Sequence, residues 1–101
     1  MNETEFTLIA KHTLSSIADT IETTDIEGLI DMDFNFDMIN LKTADGIFVI
    51  NKHSAAREIW LASPISGPYH FFYKNEQWQT HGNIKLFDVL SRELKMKFSE
   101  V

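Results

Sequence analysis

Six acids, Asp19, Glu22, Asp25, Glu27, Asp31 and Asp33, crowd into residues 19–33, with no His or Cys among them. Carboxylates alone suit hard cations of flexible geometry and give weak, unselective sites, open to Fe2+ or Fe3+ and equally to Ca2+, Mn2+ or Co2+. Their placement is unfavourable. Asp19 and Glu22 fall in the last turns of an expected helix, at the negative end of its dipole. They are also i, i+3 neighbours and repel. Asp31 and Asp33 share one face of the next expected strand. A bound cation or a basic partner would relieve such crowding. On charge alone the other reading stays open: a solvated acidic face that aids solubility.

The second candidate is Trp60, inside the apolar run Ile59-Trp60-Leu61. Strand alternation points Ile59 and Leu61 one way, Glu58 and Trp60 the other. A Trp beside a Glu on the polar side is either an exposed contact residue or flat cover over its neighbours. The four histidines, His12, His53, His70 and His81, form no closely spaced pair. They read as surface or strand residues, with His12 the best auxiliary ligand. Ser63 and Ser66 lack a G-x-S-x-G setting, and neither a P-loop nor a dinucleotide fingerprint occurs. Hydrolase and transferase chemistry is therefore disfavoured. With no Cys, thiolate catalysis and direct Cys ligation of an iron–sulfur cluster are excluded.

The elements that must position these groups are legible. Phe6, Ala10, Leu14, Ile17 and Ile21 make one apolar stripe, predicting a helix over 3–23 capped by Asn2. Residues 30–34 alternate, with Ile30, Met32 and Phe34 inward. Further strands are expected over 38–43, 47–51, 57–62 and 69–73, with a short one around Trp78. Asp45-Gly46 and Lys74-Asn75-Glu76 supply turns. From about Ile84 the helical period returns, with Ile84, Phe87, Leu90 (or Val89), Leu94 and Phe98 near one face and Arg92, Lys95 and Lys97 near its end. Helix, strands, helix is the order of an α+β domain, an antiparallel sheet with N- and C-terminal helices packed on one face. Its uncovered face would carry Asn40, Lys42, Glu58 and Trp60.

The 101 residues, without internal repeat, predict one domain over 1–101. No apolar run approaches the ~18 residues of a membrane span. The start MNETEF resembles neither a secretory signal nor an Arg-rich presequence, so a cytoplasmic location is expected. Residues 1–50 hold ten acids and two bases, a net −8; residues 51–101 hold five acids and seven bases, a net +2. The acidic half argues against nucleic acid and for cations or basic partners.

The run Ile50-Asn51-Lys52-His53, then Ile59-Trp60-Leu61-Ala62-Ser63-Pro64, then Ser66-Gly67-Pro68, resembles the signature of the frataxin family, including its bacterial CyaY-type members. The resemblance extends over nearly the whole chain. His53 and Glu58 stand where the family has Gln, Ala55 where it has Pro. Asn35, Phe36 and Asp37 replace the Gly-rich turn usual between the first two strands. The resemblance implies a frataxin-like αβα sandwich and weakly bound iron (Fe2+/Fe3+) on Asp19, Glu22, Asp25, Glu27, Asp31 and Asp33. It implies partner contact through Asn51, His53 and Trp60. The partners would be a cysteine desulfurase and an iron–sulfur scaffold protein, and the protein a monomer or an iron-dependent oligomer. The function implied is iron donation or sensing in cluster assembly, with regulation of the cysteine desulfurase–scaffold complex. The alternative is a ferroxidase on the acidic ridge, although the Glu-x-x-His di-iron motif of helical ferroxidases is missing.

Overall fold

The computed structural model describes residues 1–35 and 37–99. Helix α1 (Glu3–Thr24) begins where the Asn2 side chain accepts the Glu5 N–H at 2.8 Å. Its stripe Phe6, Ala10, Leu14, Ile17 and Ile21 is fully buried, as the spacing predicts. Six strands follow as an antiparallel meander in chain order: β1 (Asp31–Asn35), β2 (Met38–Thr43), β3 (Gly46–His53), β4 (Glu58–Ser63), β5 (Gly67–Lys74) and β6 (Gln77–Gln79). Helix α2 (Leu86–Leu94) closes the fold. Both helices bury their apolar sides against one sheet face, on Ile39 and Leu41 of β2, Phe48 and Ile50 of β3, Ile59 and Leu61 of β4, Phe71 of β5 and Trp78 of β6.

Trp78 ties the last strand to the first helix. Its indole N–H donates to Thr13 Oγ1 of α1 at 2.9 Å, and Phe6 meets its ring edge-on at 6.0 Å. A buried Trp without such a partner would leave its donor unmet.

The turns explain two departures from a generic meander. Between β1 and β2 the Asn35 side chain accepts the N–H groups of Asp37 and Met38, each at 3.1 Å, so this turn is built by an Asx contact instead of glycine. Phe36 of that turn lies outside the described residues. Between β2 and β3, Gly46 sits at φ +122°, and a Cβ there would lie 2.7 Å from Pro64 Cβ. The β2–β3 turn thus packs its backbone directly on the β4–β5 loop, a closeness that only glycine allows.

Two expectations for the C-terminal helix need correction. Ile84 precedes the helix and is exposed, not on its buried face. Lys95, at φ 57° in the left-handed region, stops the helix one turn before Phe98. Phe98 is buried all the same, because the chain folds back: its N–H donates to Ser91 Oγ at 3.0 Å, and its ring lies 6.4 Å from that of Phe87. Of the three bases expected at the helix end, only Arg92 is in the last turn.

Candidate functional site on the open sheet face and the acidic first half

The alternation that buries Ile59 and Leu61 turns Glu58 and Trp60 to the face without helices. Strand register lines up Asn35, Met38, Asn51, Trp60 and His70 as one row across β1 to β5. Trp60 is half-buried. His70, directly across on β5, stacks on one face of the indole at 4.0 Å and 6°. His53, diagonal to it on β3, stacks on the other at 3.8 Å and 8°. Diagonal neighbours on a sheet face lie close enough for rings to touch. Glu58 Oε1 accepts the indole N–H at 2.8 Å. Both faces of Trp60 and its one donor are therefore engaged within the chain. His53 Nδ1 is buried and, among the described residues, has no hydrogen-bond partner. Phe72 and His81, 4.6 Å apart, continue the aromatic surface beyond the row.

The six acids do not share one environment. Asp19, Glu22, Glu27, Asp31 and Asp33 are exposed, and among the described residues no ion pair neutralises them. Asp19 lies beside His12, Ser16 and Thr23 in a shallow groove along α1. Asp31 and Asp33 share a depression at the sheet edge with Asn40 and Lys42, the residues directly opposite them on β2. Sheet alternation puts this pair on the open face, whereas α1 crosses the other. Asp25 is already committed to the backbone, since its two carboxylate oxygens accept the N–H groups of Leu29 and Ile30, each at 2.9 Å. Among the described residues no three His, Cys, Asp or Glu side chains converge on a point where a metal ion could sit. Such a surface can hold a hard cation through one or two carboxylates plus water, which means weak, exchangeable binding.

One polar centre escapes a reading of the sequence. Glu93 of α2 is buried, and it accepts from Ser63 Oγ and Ser66 Oγ, each at 2.5 Å, and from the Arg92 guanidinium at 3.1 Å. Ser63 Oγ in turn accepts the N–H groups of Ile65 and Ser66. Burial pushes the Glu93 carboxyl up, but the two serine hydrogen bonds and Arg92 together outweigh it and hold its pKa below the usual 4.5. A signal does exist: Glu93 occupies a stripe position of α2, three and four residues beyond Leu90 and Val89, where an apolar side chain would be the norm. The network gives the Ser-Pro-Ile-Ser-Gly-Pro segment its role, fastening the loop after the Trp60 strand to α2.

Residues 1–100 match the family model of the frataxin-like domain. The chain belongs to the frataxin family. It is 36% identical over 106 residues to the mitochondrial frataxin homolog of Schizosaccharomyces pombe, covering 98% of this chain and 67% of that one. Among solved structures it resembles the frataxin of Psychromonas ingrahamii, of the CyaY family, with TM-score 0.82 at 22% identity over 100% of this chain and 99% of that one. It resembles a trimeric frataxin of Saccharomyces cerevisiae, complexed with ferrous iron, with TM-score 0.79 at 32% identity over 86% and 82% of the two chains. The α+β arrangement read from periodicity is thus consistent with the frataxin sandwich that the resemblance implies, and frataxins are iron-binding proteins.

Proposed function

We propose that this frataxin carries weakly held iron as cargo and acts on iron–sulfur cluster assembly, docking on a cysteine desulfurase–scaffold complex. The observation that carries the reading is a set of exposed, unpaired carboxylates in a frataxin with a 32% identical relative complexed with ferrous iron. Asp19, Glu22, Glu27, Asp31 and Asp33 are the proposed iron ligands, with Asp25 contributing less because its oxygens are already engaged. Asn51, His53 and Trp60 are the proposed partner contacts. The stack fixes Trp60 in one orientation before binding, so little side-chain entropy remains to be lost on contact. The proposed state is a monomer that iron can assemble further. The proposed location is the bacterial cytoplasm; cell fractionation decides between it and the mitochondrion named for the S. pombe relative.

The test is an anaerobic ferrous titration of the parent and a variant carrying Asp19→Asn, Glu22→Gln, Asp31→Asn and Asp33→Asn, followed by capture of a desulfurase–scaffold complex. Iron binding should fall at least tenfold in the variant, and Trp60→Ala should weaken capture by ~1–3 kcal/mol, as aromatic hot spots do. Unchanged iron affinity would remove the acids from the role. Sustained O2 consumption on adding Fe2+, lost in the variant, would replace cargo binding by ferroxidase activity.

A further inference from the structure

A groove of about 470 Å3 opens at one end of the molecule, between the α1–β1 loop, the β2–β3 turn and the end of α2. Leu29, Ile30, Ala44, Leu94 and Met96 contribute its apolar lining. At its rim two large apolar side chains stand in water: Ile26 is 91% exposed and Leu29 71%. A loose loop would be free to fold them inward. This loop is fastened: Asp25 holds the N–H groups of Leu29 and Ile30, Gly28 N–H donates to Asp25 O at 3.2 Å, and Ile26 N–H donates to Thr24 O at 2.9 Å. Holding apolar side chains out of the core on an ordered backbone is the layout of a contact surface.

The charge around the groove says what it would contact. Among the described residues, Asp25, Glu27 and Asp45 border it against a single exposed cation, Lys95, while a further acid, Glu93, is buried and paired. An apolar floor with an acidic rim complements a segment that carries apolar anchors flanked by Lys or Arg. We infer that the groove between the α1–β1 loop and the end of α2 is a docking site for a basic amphipathic segment of a partner protein, anchored on Ile26 and Leu29. The site is separate from the Trp60 face, and it requires neither iron nor the assembly complex.

A synthetic Leu/Lys amphipathic peptide is the probe, with its Leu/Glu counterpart as control, titrated into the isotope-labelled protein and followed by NMR. Amide shifts should cluster at residues 24–30, 43–45 and 94–96, and the Leu/Glu peptide should leave them unmoved. Leu29→Asp is the deciding variant, because it removes an anchor while adding negative charge. It should weaken the Leu/Lys peptide at least tenfold, while Leu8→Asp, on exposed α1 surface outside the groove, leaves binding unchanged. Equal or tighter binding by Leu29→Asp would mean that charge alone attracts the peptide and would overturn the inference. So would equal binding of the Leu/Glu peptide, shifts scattered over the surface, or a self-association abolished by Leu29→Asp, which would make a second copy the occupant. Because the probe involves no iron and no desulfurase, its failure leaves the proposed function standing, and the reverse holds too.

Discussion

Glu93 shows how one buried carboxylate can be favourable. Desolvation alone would raise its pKa, but two hydroxyl donors and a guanidinium bring it below 4.5. The folded state therefore binds this proton less readily than the unfolded chain does. The resulting stability is fully present above the ordinary value and is lost as pH falls through the depressed one. Glu93→Gln should lower stability at pH 7 by ~1–3 kcal/mol, the usual worth of hydrogen bonds to a charged group. Urea melts of parent and variant should converge as pH drops below 4.5; a constant gap from pH 7 to pH 3 would mean that the carboxylate charge is unimportant. Arg92 is mostly exposed, so its contribution should be the smallest of the three. At this scale the sequence is half legible. Alternation puts Trp60 on the correct face, because side-chain direction is local. That two imidazoles cover it depends on a diagonal contact to β3 and a direct one to β5, which spacing along one strand does not encode. Glu93 is hidden for the same reason: its serine partners lie 27 and 30 residues away.

At the scale of elements, the end of α1 and the strand after it place acids in two different physical states. Asp19 and Glu22 sit near a helix terminus with no base in its last turn. Each should cost a few tenths of a kcal/mol there. Asp31 and Asp33 lie on the edge strand, where charge also discourages pairing with another chain. Asp25 instead closes the α1–β1 connection with two charge-assisted bonds. Asp25→Ala should therefore destabilise the protein by ~1–3 kcal/mol, whereas neutralising Asp19, Glu22, Asp31 and Asp33 together should raise the melting temperature of the metal-free protein. Thermal unfolding of both variants checks this, and a lower melting temperature for the fourfold variant would show that those acids are structurally paired. The elements themselves are largely readable. β2 runs over 38–43 as its alternation indicates, since Ile39 and Leu41 have one buried face to fill. Periodicity makes α2 too long at both ends, because Ile84 and Phe98 fit the helical period while lying outside the helix. It reports which residues are apolar; the left-handed Lys95 that ends the helix leaves no trace in it.

Across the whole molecule, charge is divided along the chain: −8 in residues 1–50 against +2 in residues 51–101. The sheet carries that division into space. β1 and β2, with Asp31 and Asp33, form one flank, while the Trp60 row runs on to His70 on β5. A partner meeting both regions would feel a long-range field from the first and short-range ring and amide contacts from the second. These respond differently to salt. The Debye length falls from ~10 Å at 0.1 M to ~3 Å at 1 M, which screens separated charges and spares contacts at van der Waals distance. Binding to an immobilised desulfurase–scaffold complex should accordingly weaken as salt rises, with the association rate falling more than the dissociation rate changes, since long-range charge steers encounter. Trp60→Ala should act the other way, raising the dissociation rate at every salt concentration. Surface plasmon resonance over this range, on the parent, Trp60→Ala and the fourfold acid variant, separates the two effects. If the parent's association rate ignored salt, the acidic half would have no part in docking and iron binding would be its remaining proposed role. If the acid variant kept the parent's salt dependence, the steering charge would have to lie in acids it retains, such as Asp25, Glu27 and Asp45, which border the groove at the end of α2.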